Sequence, residues 1–392
     1  MSAKPKAFFL TAESPYPLVG GGALRSASIL EYLLARYDTD VFAFAQPGPG
    51  RESESPLARR WTTVRLPFHP ADTASRAVRN VGRLLRRVPP LVDRFSGFED
   101  ALRKAVWGEH YDVAVVEHFW CAPYAPVLRG HCERMVLDMH NVESVWHERS
   151  AEQASGAGAW AHRRFAREAE HLERKWIPHY DLVLVTSEPE RAYVTNRLAS
   201  GNVAVVKNTI PQRPLPSVPK RDEVVFSGNM EYAPNQGAAR YFAREIWPMV
   251  SGRRTKTRWN LVGKSAGTLE AILETPARTA FVPDPEDAMI EIASAAVAVV
   301  PLLVGTGTRL KIVEAWAAGT PVVSTTLGAE GLDCVPGKDL LIADGPEAFA
   351  QSTLRVLEEP ALAAALAIQG RARYEKAYSW ASAWRALSTL NL

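Results

Sequence analysis

The segment from Val300 to Thr325, VPLLVGTGTRLKIVEAWAAGTPVVST, has the side chains to bind an anion. Its pattern predicts a strand that ends near Leu303, a loop of small residues, and a helix from about Arg309 to Ala318. Backbone N–H groups in such a loop and at a helix N-terminus attract an anion, and Arg309 and Lys311 add positive charge. The segment therefore predicts a site for a diphosphate.

The same loop and helix also indicate how the rest of a ligand is held. The loop comprises Gly305, Thr306, Gly307 and Thr308. Glu314 follows Arg309 by five residues on the predicted helix. A carboxylate beside an anion is repelled unless it accepts hydrogen bonds from hydroxyl groups, such as those of a ribose. The alternative interpretation is a surface helix whose charged side chains are merely solvated.

A second glycine loop, VGGGALRS, lies between the first predicted strand and the first predicted helix. It contains Gly20, Gly21 and Gly22. The backbone of such a loop can contact an anion or a sugar closely. A dinucleotide fingerprint is the competing interpretation, because Asp38 and Asp40 lie near the expected offset. The third glycine position is Arg25, whose bulk opposes close packing of helix and strand, and the spacing therefore disfavours NAD binding.

Polar residues follow two further predicted strands. Glu117 and His118 follow YDVAVV, and His140 follows RMVLDM. Open α/β sheets bind ligands at the carboxyl ends of their strands, so these residues predict a second binding site. For His140 the alternative is a buried histidine that is hydrogen-bonded to the backbone.

Histidines and cysteines are frequent in the same region. They are His118, Cys121, His131, Cys132, His140 and His147. Their spacing lacks the repeated C-x-x-C or H-x-x-x-H pattern of a zinc site. No metal site is therefore predicted.

The run RAVRNVGRLLRRV predicts a basic amphipathic helix. Its basic residues are Arg76, Arg79, Arg83, Arg86 and Arg87, and its apolar residues are Val78, Val81, Leu84, Leu85 and Val88. Such helices are typical of proteins that bind an anionic membrane surface. A solvated helix packed on its domain is the equally weighted alternative. With the membrane interpretation, the protein is peripheral and its partner is a lipid-linked molecule.

Short apolar runs alternate with helix-length segments along most of the chain, which predicts an α/β protein. The alternation stops at the proline-rich and charged stretch 210–222 and then restarts, so this stretch is predicted to be a linker. We expect two doubly wound, Rossmann-like domains, 1–209 and 223–373, with the cleft between them as the ligand site. A C-terminal helix within 374–392 is expected to complete the first domain.

The composition of the chain limits the classes of protein to which it can belong. The chain has 392 residues, of which 47% are hydrophobic and 23% charged, typical of a folded globular protein. The net charge of +3 is too small to indicate general nucleic-acid binding. Three cysteines argue against a disulfide framework and favour a cytoplasmic location. The longest apolar stretch, 295–304, is about half of the ~20 residues that cross a bilayer, so no transmembrane segment is predicted.

The string GTGTRLKIVEAWAAGTPVVSTTLGAEGL resembles the donor-nucleotide segment of glycosyltransferases of the GT-B fold, specifically the large retaining family four. Further strings follow the order typical of such enzymes: FLTAESPYPLVGGGALRSASILEYL, DMHNVES, LVTSEPE, VVKNTIP and FSGNMEYAPNQGAARYF. The resemblance extends over nearly the whole chain. It implies an N-terminal acceptor-binding domain and a C-terminal domain that binds a nucleotide sugar.

The resemblance also implies roles for single residues. Glu314 would bind the ribose, the loop 305–308 would lie along the donor sugar and diphosphate, and Arg309 or Lys311 would neutralise the leaving group. His140 would lie over the donor sugar. The donor site would further include Gly228, Asn229 and Pro283. The acceptor side and its phosphate loop would include Gly20, Gly21, Gly22, Glu117, His118, Asn141 and Glu143.

Two departures from the family pattern are visible. Many members have a second glutamate eight positions before the first, where this chain has Thr306. Relatives often have a Gly-Arg pair and a lysine after the first strand of the second domain. This chain has Gly228, Asn229, Pro234 and Asn235. Diphosphate charge would then depend more heavily on Arg309 and Lys311.

The resemblance implies a retaining glycosyltransferase that moves a sugar from a nucleoside-diphosphate sugar to a hydroxyl group. The expected pathway is cell-surface polysaccharide, lipopolysaccharide or glycoconjugate biosynthesis, and neither a metal nor another cofactor is expected. No side chain stands out as a nucleophile, so a front-face mechanism is expected from the family. Two alternatives remain open at this point: a non-catalytic subunit that binds a sugar nucleotide or glycan, and a sugar-nucleotide isomerase.

Overall fold

The computed structural model describes residues 4–18, 20–47, 53–70, 72–198, 201–270, 273, 278–304 and 309–392. The chain divides into two units. Unit 1 comprises Met1–Asn208 with Ala383–Leu392, and unit 2 comprises Thr209–Ser382. Each unit contains one parallel sheet and the helices that connect its strands, so the predicted α/β class is confirmed.

Unit 1 contains a seven-stranded parallel sheet. Its strands are β1 (Lys6–Thr11), β2 (Asp38–Ala45), β3 (Arg60–Arg65), β4 (Tyr111–Glu117), β5 (Cys132–Asp138), β6 (Leu182–Val185) and β7 (Val203–Val205). They are arranged in the order β3-β2-β1-β4-β5-β6-β7. The strand order reverses between β1 and β4, and ligands of doubly wound sheets bind at the carboxyl ends of the strands at such a point.

Helices cover both faces of this sheet, which explains why its central strands are apolar on both sides. They are α1 (Gly21–Arg36), α2 (Thr73–Arg86), α3 (Pro90–Arg94), α4 (Glu99–Val106), α5 (Ala125–Leu128), α6 (Glu143–Gln153), α7 (Gly156–Trp176) and α8 (Glu188–Arg197). Successive residues of β1 enter different apolar cores: Phe8 packs in one and Phe9 in the other. The two cores hold the sheet rigid, so that its carboxyl edge can position side chains.

Unit 2 contains a six-stranded parallel sheet. Its strands are β8 (Arg221–Ser227), β9 (Arg258–Gly263), β10 (Thr279–Pro283), β11 (Ala295–Val300), β12 (Val322–Ser324) and β13 (Leu341–Ile342). They are arranged in the order β10-β9-β8-β11-β12-β13, with the reversal between β8 and β11. The helices are α9 (Ala233–Tyr241), α10 (Trp247–Arg253), α11 (Ala288–Ser294), α12 (Leu310–Ala317), α13 (Pro346–Glu358) and α14 (Pro360–Ala377). A last helix, α15 (Trp380–Thr389), begins in unit 2 and continues into unit 1.

The structure differs from the sequence-based expectation in two elements. Strand β3 was not expected, because its residues RWTTVR are polar and only half-buried, as suits the edge of a sheet. The helix expected over about 374–390 is interrupted between α14 and α15. There Ile210 exchanges backbone hydrogen bonds with Tyr378 and Trp380, and these bonds replace the helical pattern.

The C-terminal residues pack on unit 1. Trp384 donates its indole N–H to the carbonyl of Ser28 at 2.9 Å, and Arg134 donates to the carbonyl of Leu390 at 2.9 Å. None of the helices in the described part of the chain is long and apolar enough to cross a membrane.

Candidate functional site

The carboxyl edge of the unit 1 sheet holds a cluster of buried charged side chains, which we call the unit 1 cluster. It comprises Arg25, Glu117, His118, Asp138 and His140, all buried. Helix α1 supplies the arginine, β4 ends at Glu117, and β5 ends at Asp138. The cluster therefore lies beside the point where the strand order reverses.

A buried ion pair forms the base of the unit 1 cluster. Arg25 Nε donates to Asp138 Oδ2 at 2.7 Å, and Arg25 Nη2 donates to the other carboxylate oxygen. Arg25 Nη1 also donates to the carbonyl of Val206 at 2.6 Å. A bidentate pair of this kind fixes both side chains in one orientation. The arginine thus ties α1 to β5 and to the end of β7.

His140 is held by two carboxylates. Its Nε2 lies 2.6 Å from Glu117 Oε2 and 3.3 Å from Asp138 Oδ2. Burial alone would lower the pKa of His140, but hydrogen bonds to Asp138 and Glu117 raise it to about 9. Burial likewise opposes ionisation of Asp138, whereas the Arg25 charge holds the pKa of that carboxyl well below its usual range. His140 is therefore a cation at neutral pH.

His118 continues the cluster as a stack of rings. Its ring centroid lies 3.5 Å from that of His140 and 4.4 Å from that of Trp120. The residue has a φ of +66°, and such strained residues cluster at functional sites. Burial lowers the pKa of His118 well below its usual value, and the charge of His140 lowers it further. A neutral imidazole thus lies against a charged one.

The donor set of the unit 1 cluster does not favour a metal ion. Ligand atoms of Glu117, His118 and His140 lie within 4.8 Å of one another. His140 Nε2 already lies 2.6 Å from Glu117 Oε2 and 3.3 Å from Asp138 Oδ2, so a metal ion at His140 would have to replace these contacts. The geometry favours a charged hydrogen-bonded cluster.

The glycine loop begins α1 next to this cluster. Gly20 has a φ of +89° and α1 starts at Gly21. A Cβ on Gly22 would lie 1.9 Å from Glu13 Oε1, which in turn is 3.9 Å from His118 Nε2. Asn141 is exposed, whereas Glu143 is buried at the start of α6.

The dinucleotide alternative disagrees with the structure. Arg25, which occupies the third glycine position, forms an ion pair with Asp138. Asp40 lies near the amino end of β2, far from the carboxyl edge, and pairs with Arg59 and Arg60. A carboxylate at the amino end of a strand cannot reach a ribose that is bound at the carboxyl edge of the sheet.

Unit 2 has a corresponding site where its strand order reverses. The unit 2 cluster comprises Gly228, Asn235, Lys311 and Glu314. Gly228 follows β8, Asn235 lies in the first turn of α9, and α12 supplies the two charged residues. Lys311 Nζ donates to Asn235 Oδ1 at 2.5 Å and lies 4.5 Å from the centre of the Phe226 ring.

Two glycines allow the backbone to come close to Lys311. Gly228 has a φ of +146°, and a Cβ there would lie 3.0 Å from Asn235 Nδ2 and 3.3 Å from Lys311 Nζ. Gly263 has a φ of +123°, and a Cβ there would lie 2.3 Å from the carbonyl oxygen of Gly228. A larger residue at Gly228 would crowd the ammonium group, and a larger residue at Gly263 would displace the backbone of Gly228.

Both charged groups of the unit 2 cluster titrate near neutrality. Burial raises the pKa of Glu314 to about 7, against the effect of Lys311. Burial also lowers the pKa of Lys311 to about 7, against the effect of Glu314. An anionic ligand would therefore change the protonation of this pair.

The other residues predicted for the donor site lie around this cluster. Asn229 accepts from Asn235 through its carbonyl at 2.7 Å and from the backbone of Glu231 through its side chain at 2.9 Å. Pro283 ends β10 and lies opposite Gly263 in the sheet register. Arg309 is buried directly before α12. The predicted loop residues Gly305, Thr306, Gly307 and Thr308 lie outside the described residues.

The structure corrects the picture of the basic helix. Helix α2 is amphipathic as predicted, but its apolar residues Val78 and Leu85 are 73% and 79% exposed. Arg76, Arg79 and Arg83 instead line a cavity within unit 1, and Arg83 is buried. Of the five basic residues, Arg76, Arg86 and Arg87 are exposed and Arg79 is half-buried. Arg83 therefore departs from the solvated arginine face that the sequence indicates.

Sequence reasoning missed three contributors to these sites. The fingerprint argument treats Arg25 only as bulk, and Asp138 and Asn235 had no assigned role. Asp138 ends a buried strand, which is a signal for a functional carboxylate. The partners of Arg25 and Asn235, by contrast, lie more than 70 residues away in sequence, so spacing gave no signal for them.

Comparisons with known proteins extend this description. Residues 221–359 match the family model described as Glycosyl transferases group 1. No curated protein sequence matches the chain. Sucrose-phosphate synthase from Thermosynechococcus elongatus has a similar structure, with a TM-score of 0.70, 19% identity and coverage of 98% of each chain.

Two further solved structures are similar over both units. Anabaena Alr3699/HepE in complex with UDP-glucose aligns with a TM-score of 0.61, 14% identity and coverage of 99% of each chain. A structure of trehalose-6-phosphate synthase, from work on enzymatic glycosyltransfer with retention, aligns with a TM-score of 0.65, 14% identity and coverage of 98% of each chain. These likenesses establish the GT-B fold. Residues 221–359 are a glycosyl transferases group 1 segment within that fold, and the predicted recognition of this chain as a glycosyltransferase is confirmed.

Proposed function

We propose that this enzyme transfers a sugar from a nucleoside-diphosphate sugar to a hydroxyl group with retention of configuration. The observation that carries the proposal is the unit 2 cluster. A half-buried lysine lies beside the glycine turn at Gly228, where the strand order reverses, and a half-buried glutamate on the same helix interacts with it. A diphosphate needs the cation, a ribose needs the carboxylate, and the glycine lets both approach.

The donor would bind with its diphosphate at Lys311 and its ribose at Glu314. Arg309 would add charge at the start of α12, and residues 305–308 would lie along the sugar. Asn235 accepts a hydrogen bond from Lys311 and carries no charge, so it would position the ammonium group without neutralising it. HepE is described in complex with UDP-glucose, so UDP-sugars are the first donors to test.

Stabilisation of the departing diphosphate would be the main contribution of the protein to catalysis. Lys311 and Arg309 would supply the positive charge there. His140, as a cation held by two carboxylates, would hydrogen-bond a hydroxyl of the donor sugar. Retention is proposed on two grounds: the resemblance to the retaining family and the mechanism named for trehalose-6-phosphate synthase.

The acceptor would be a molecule of the cell surface, and the enzyme would be peripheral on the cytoplasmic face of a membrane. The exposed apolar side chains of α2 support this part of the proposal, because a stripe of Val78, Val81 and Leu85 gains free energy by leaving water.

The direct test is calorimetric titration of the whole chain with UDP-, GDP-, ADP- and dTDP-sugars. We expect one donor to bind and Glu314→Ala to weaken its binding roughly tenfold or more, since hydrogen bonds to charged groups contribute about 1.5–3 kcal/mol. Glu245→Gln, an exposed glutamate of the same unit, is the matched control and should bind as the parent does. Equal binding by Glu314→Ala and the parent would contradict the ribose role.

Turnover distinguishes the enzyme from an isomerase. A transferase releases the nucleoside diphosphate when an acceptor is present, and the anomeric coupling constant of the NMR spectrum reports retention or inversion in the product. Conversion of the donor sugar while it stays attached to the nucleotide would identify an isomerase.

A further inference from the structure

Unit 1 contains a cavity that the proposed donor site does not use. It has a volume of about 570 Å³ and is lined by residues of α2, α3, α6 and α7. Sites for small ligands have volumes of roughly 300–1,000 Å³, so this cavity has room for a sugar ring with a charged substituent.

One wall of the cavity is strongly basic. Arg76, Arg79, Arg83 and Arg94 line it. Arg79 and Arg94 donate to the carbonyls of Pro70 and Pro67, which carry no charge. Among the ion pairs of the described residues, Asp93 is the carboxylate that pairs with this wall, through Arg83 at 2.9 Å. Four guanidinium groups thus share little negative charge.

A second part of the lining, from α6 and α7, is aromatic, and it includes two buried polar groups that lack a hydrogen-bond partner within the described residues. Trp146, His162 and Phe165 provide ring surfaces. Glu143 and His147, one helical turn apart on α6, are 4% and 2% exposed. Glu143 Oε1 and His147 Nε2 have no hydrogen-bond partner within the described residues, and they lie 3.6 Å apart. Buried polar atoms without a partner are costly, and a bound ligand would satisfy them.

Direct contacts connect the cavity to the unit 1 cluster. Glu143 accepts a hydrogen bond from the indole of Trp120 at 3.0 Å. Trp120 stacks on His118, which stacks on His140. A molecule in the cavity would therefore be held beside the carboxyl edge of the sheet.

We propose that this cavity binds the anionic group of the acceptor, a phosphate or carboxylate carried on a ring. The arginine wall takes the charge, the aromatic wall takes the ring, and Glu143 with His147 takes a hydroxyl group of the ring. The identity of this ligand as the acceptor rests on the proposed function, whereas anion binding by the cavity does not. The phosphate can belong to a soluble sugar phosphate or to a lipid headgroup, and both present the same chemistry.

The test is calorimetric titration of the whole chain with phenyl phosphate and glucose 6-phosphate, with glucose as the uncharged probe. We expect the phosphates to bind and glucose to bind at least tenfold more weakly. The variant Arg76→Gln with Arg79→Gln should weaken phosphate binding roughly ten- to a hundredfold, because each arginine supplies charge-assisted hydrogen bonds. Arg87→Gln removes one positive charge of the same helix segment outside the cavity and should bind as the parent does.

A second variant tests the position without removing charge. Ala161 lines the cavity from α7, so Ala161→Phe should fill the space and abolish phosphate binding. Sedimentation with phosphatidic acid vesicles, against phosphatidylcholine vesicles, is the lipid arm. Vesicle binding that the double variant loses and Arg87→Gln keeps assigns the phosphate to a lipid. If the double variant loses binding of the soluble phosphates but binds vesicles as the parent does, the phosphate belongs to a sugar phosphate.

Failure of this proposal is separable from failure of the proposed function. The double variant should bind the nucleotide-sugar donor as the parent does, since its changes lie in unit 1. Absence of any phosphate binding, or equal weakening by Arg87→Gln and by the double variant, would overturn the proposal. Neither result bears on donor binding by Glu314 and Lys311.

Discussion

The two clusters differ in how completely their charges are balanced. In the unit 1 cluster, Arg25, Asp138, His140 and Glu117 form a continuous set of short hydrogen bonds. In the unit 2 cluster, Lys311 has an amide partner, and both Lys311 and Glu314 have a pKa of about 7. A balanced cluster holds a fixed geometry, whereas an unbalanced one has charge to offer a ligand. The difference indicates a positioning role for the first and a binding role for the second.

Breaking the ion pair of the unit 1 cluster should have the largest effect. Arg25→Met leaves Asp138 buried without its partner, and we expect the free energy of unfolding to fall by about 3–5 kcal/mol. Chemical denaturation measures this. The exposed pair of Arg253 and Glu358 is the control, and Arg253→Met should cost less than about 1 kcal/mol.

If Arg25→Met does not fold, a double variant still tests this prediction. Arg25→Met with Asp138→Leu removes both charges and should recover much of the lost stability. Recovery would support the ion pair as the cause, and no recovery would contradict it.

His140 should contribute stability that depends on pH. Its pKa is about 9 in the folded chain and about 6.5 when unfolded, so the contribution is fully present below pH 6.5 and is lost as pH rises through 9. The difference in unfolding free energy between the parent and His140→Gln should therefore shrink over this range, by at most about 3 kcal/mol. A difference that stays constant from pH 6 to pH 9.5 would refute the charged state of His140.

A charge placed in the unit 2 cluster should weaken donor binding. Asn235→Asp puts a carboxylate beside Lys311, so the diphosphate loses part of its attraction, and we expect a loss of about tenfold in affinity. Asn235→Ala removes the positioning contact alone and should have a smaller effect. Tighter binding by Asn235→Asp than by Asn235→Ala would contradict diphosphate binding at Lys311.

The smallest expected effect is proton uptake on donor binding. Lys311 has a pKa of about 7 in the free chain, and a bound diphosphate raises it, whereas the ribose hydroxyl groups keep Glu314 ionised. At pH 8 the complex should therefore take up about one proton. Calorimetry in buffers of different ionisation enthalpy measures this number, and the value should fall in Lys311→Met.

The sequence predicts the fold well where pattern and packing agree. Strands such as β1, β4 and β11 are apolar runs between helices, as the alternation of the sequence predicts. Prediction from the sequence pattern fails at the edge strand β3, whose side chains are only partly buried. Local pattern is informative only where one face is clearly buried.

For the sites, the sequence predicts residue types but not their pairing. It finds Lys311, Glu314 and His140 because loops and strand ends mark them. It cannot find the bond from Lys311 to Asn235, which depends on tertiary folding. Similarly, the pattern of α2 shows two different faces, yet nothing in its period shows that Arg83 is buried while Val78 and Leu85 are exposed.

Hydrogen exchange of the whole chain, with and without the nucleoside diphosphate of the best donor, tests the central claim most directly. If the unit 2 cluster binds the diphosphate, backbone amides of residues 226–235 and 309–317 should become protected, and Glu314→Ala should remove most of this protection. Protection at residues 20–26 and 138–143 with none in the two unit 2 segments would contradict the claim.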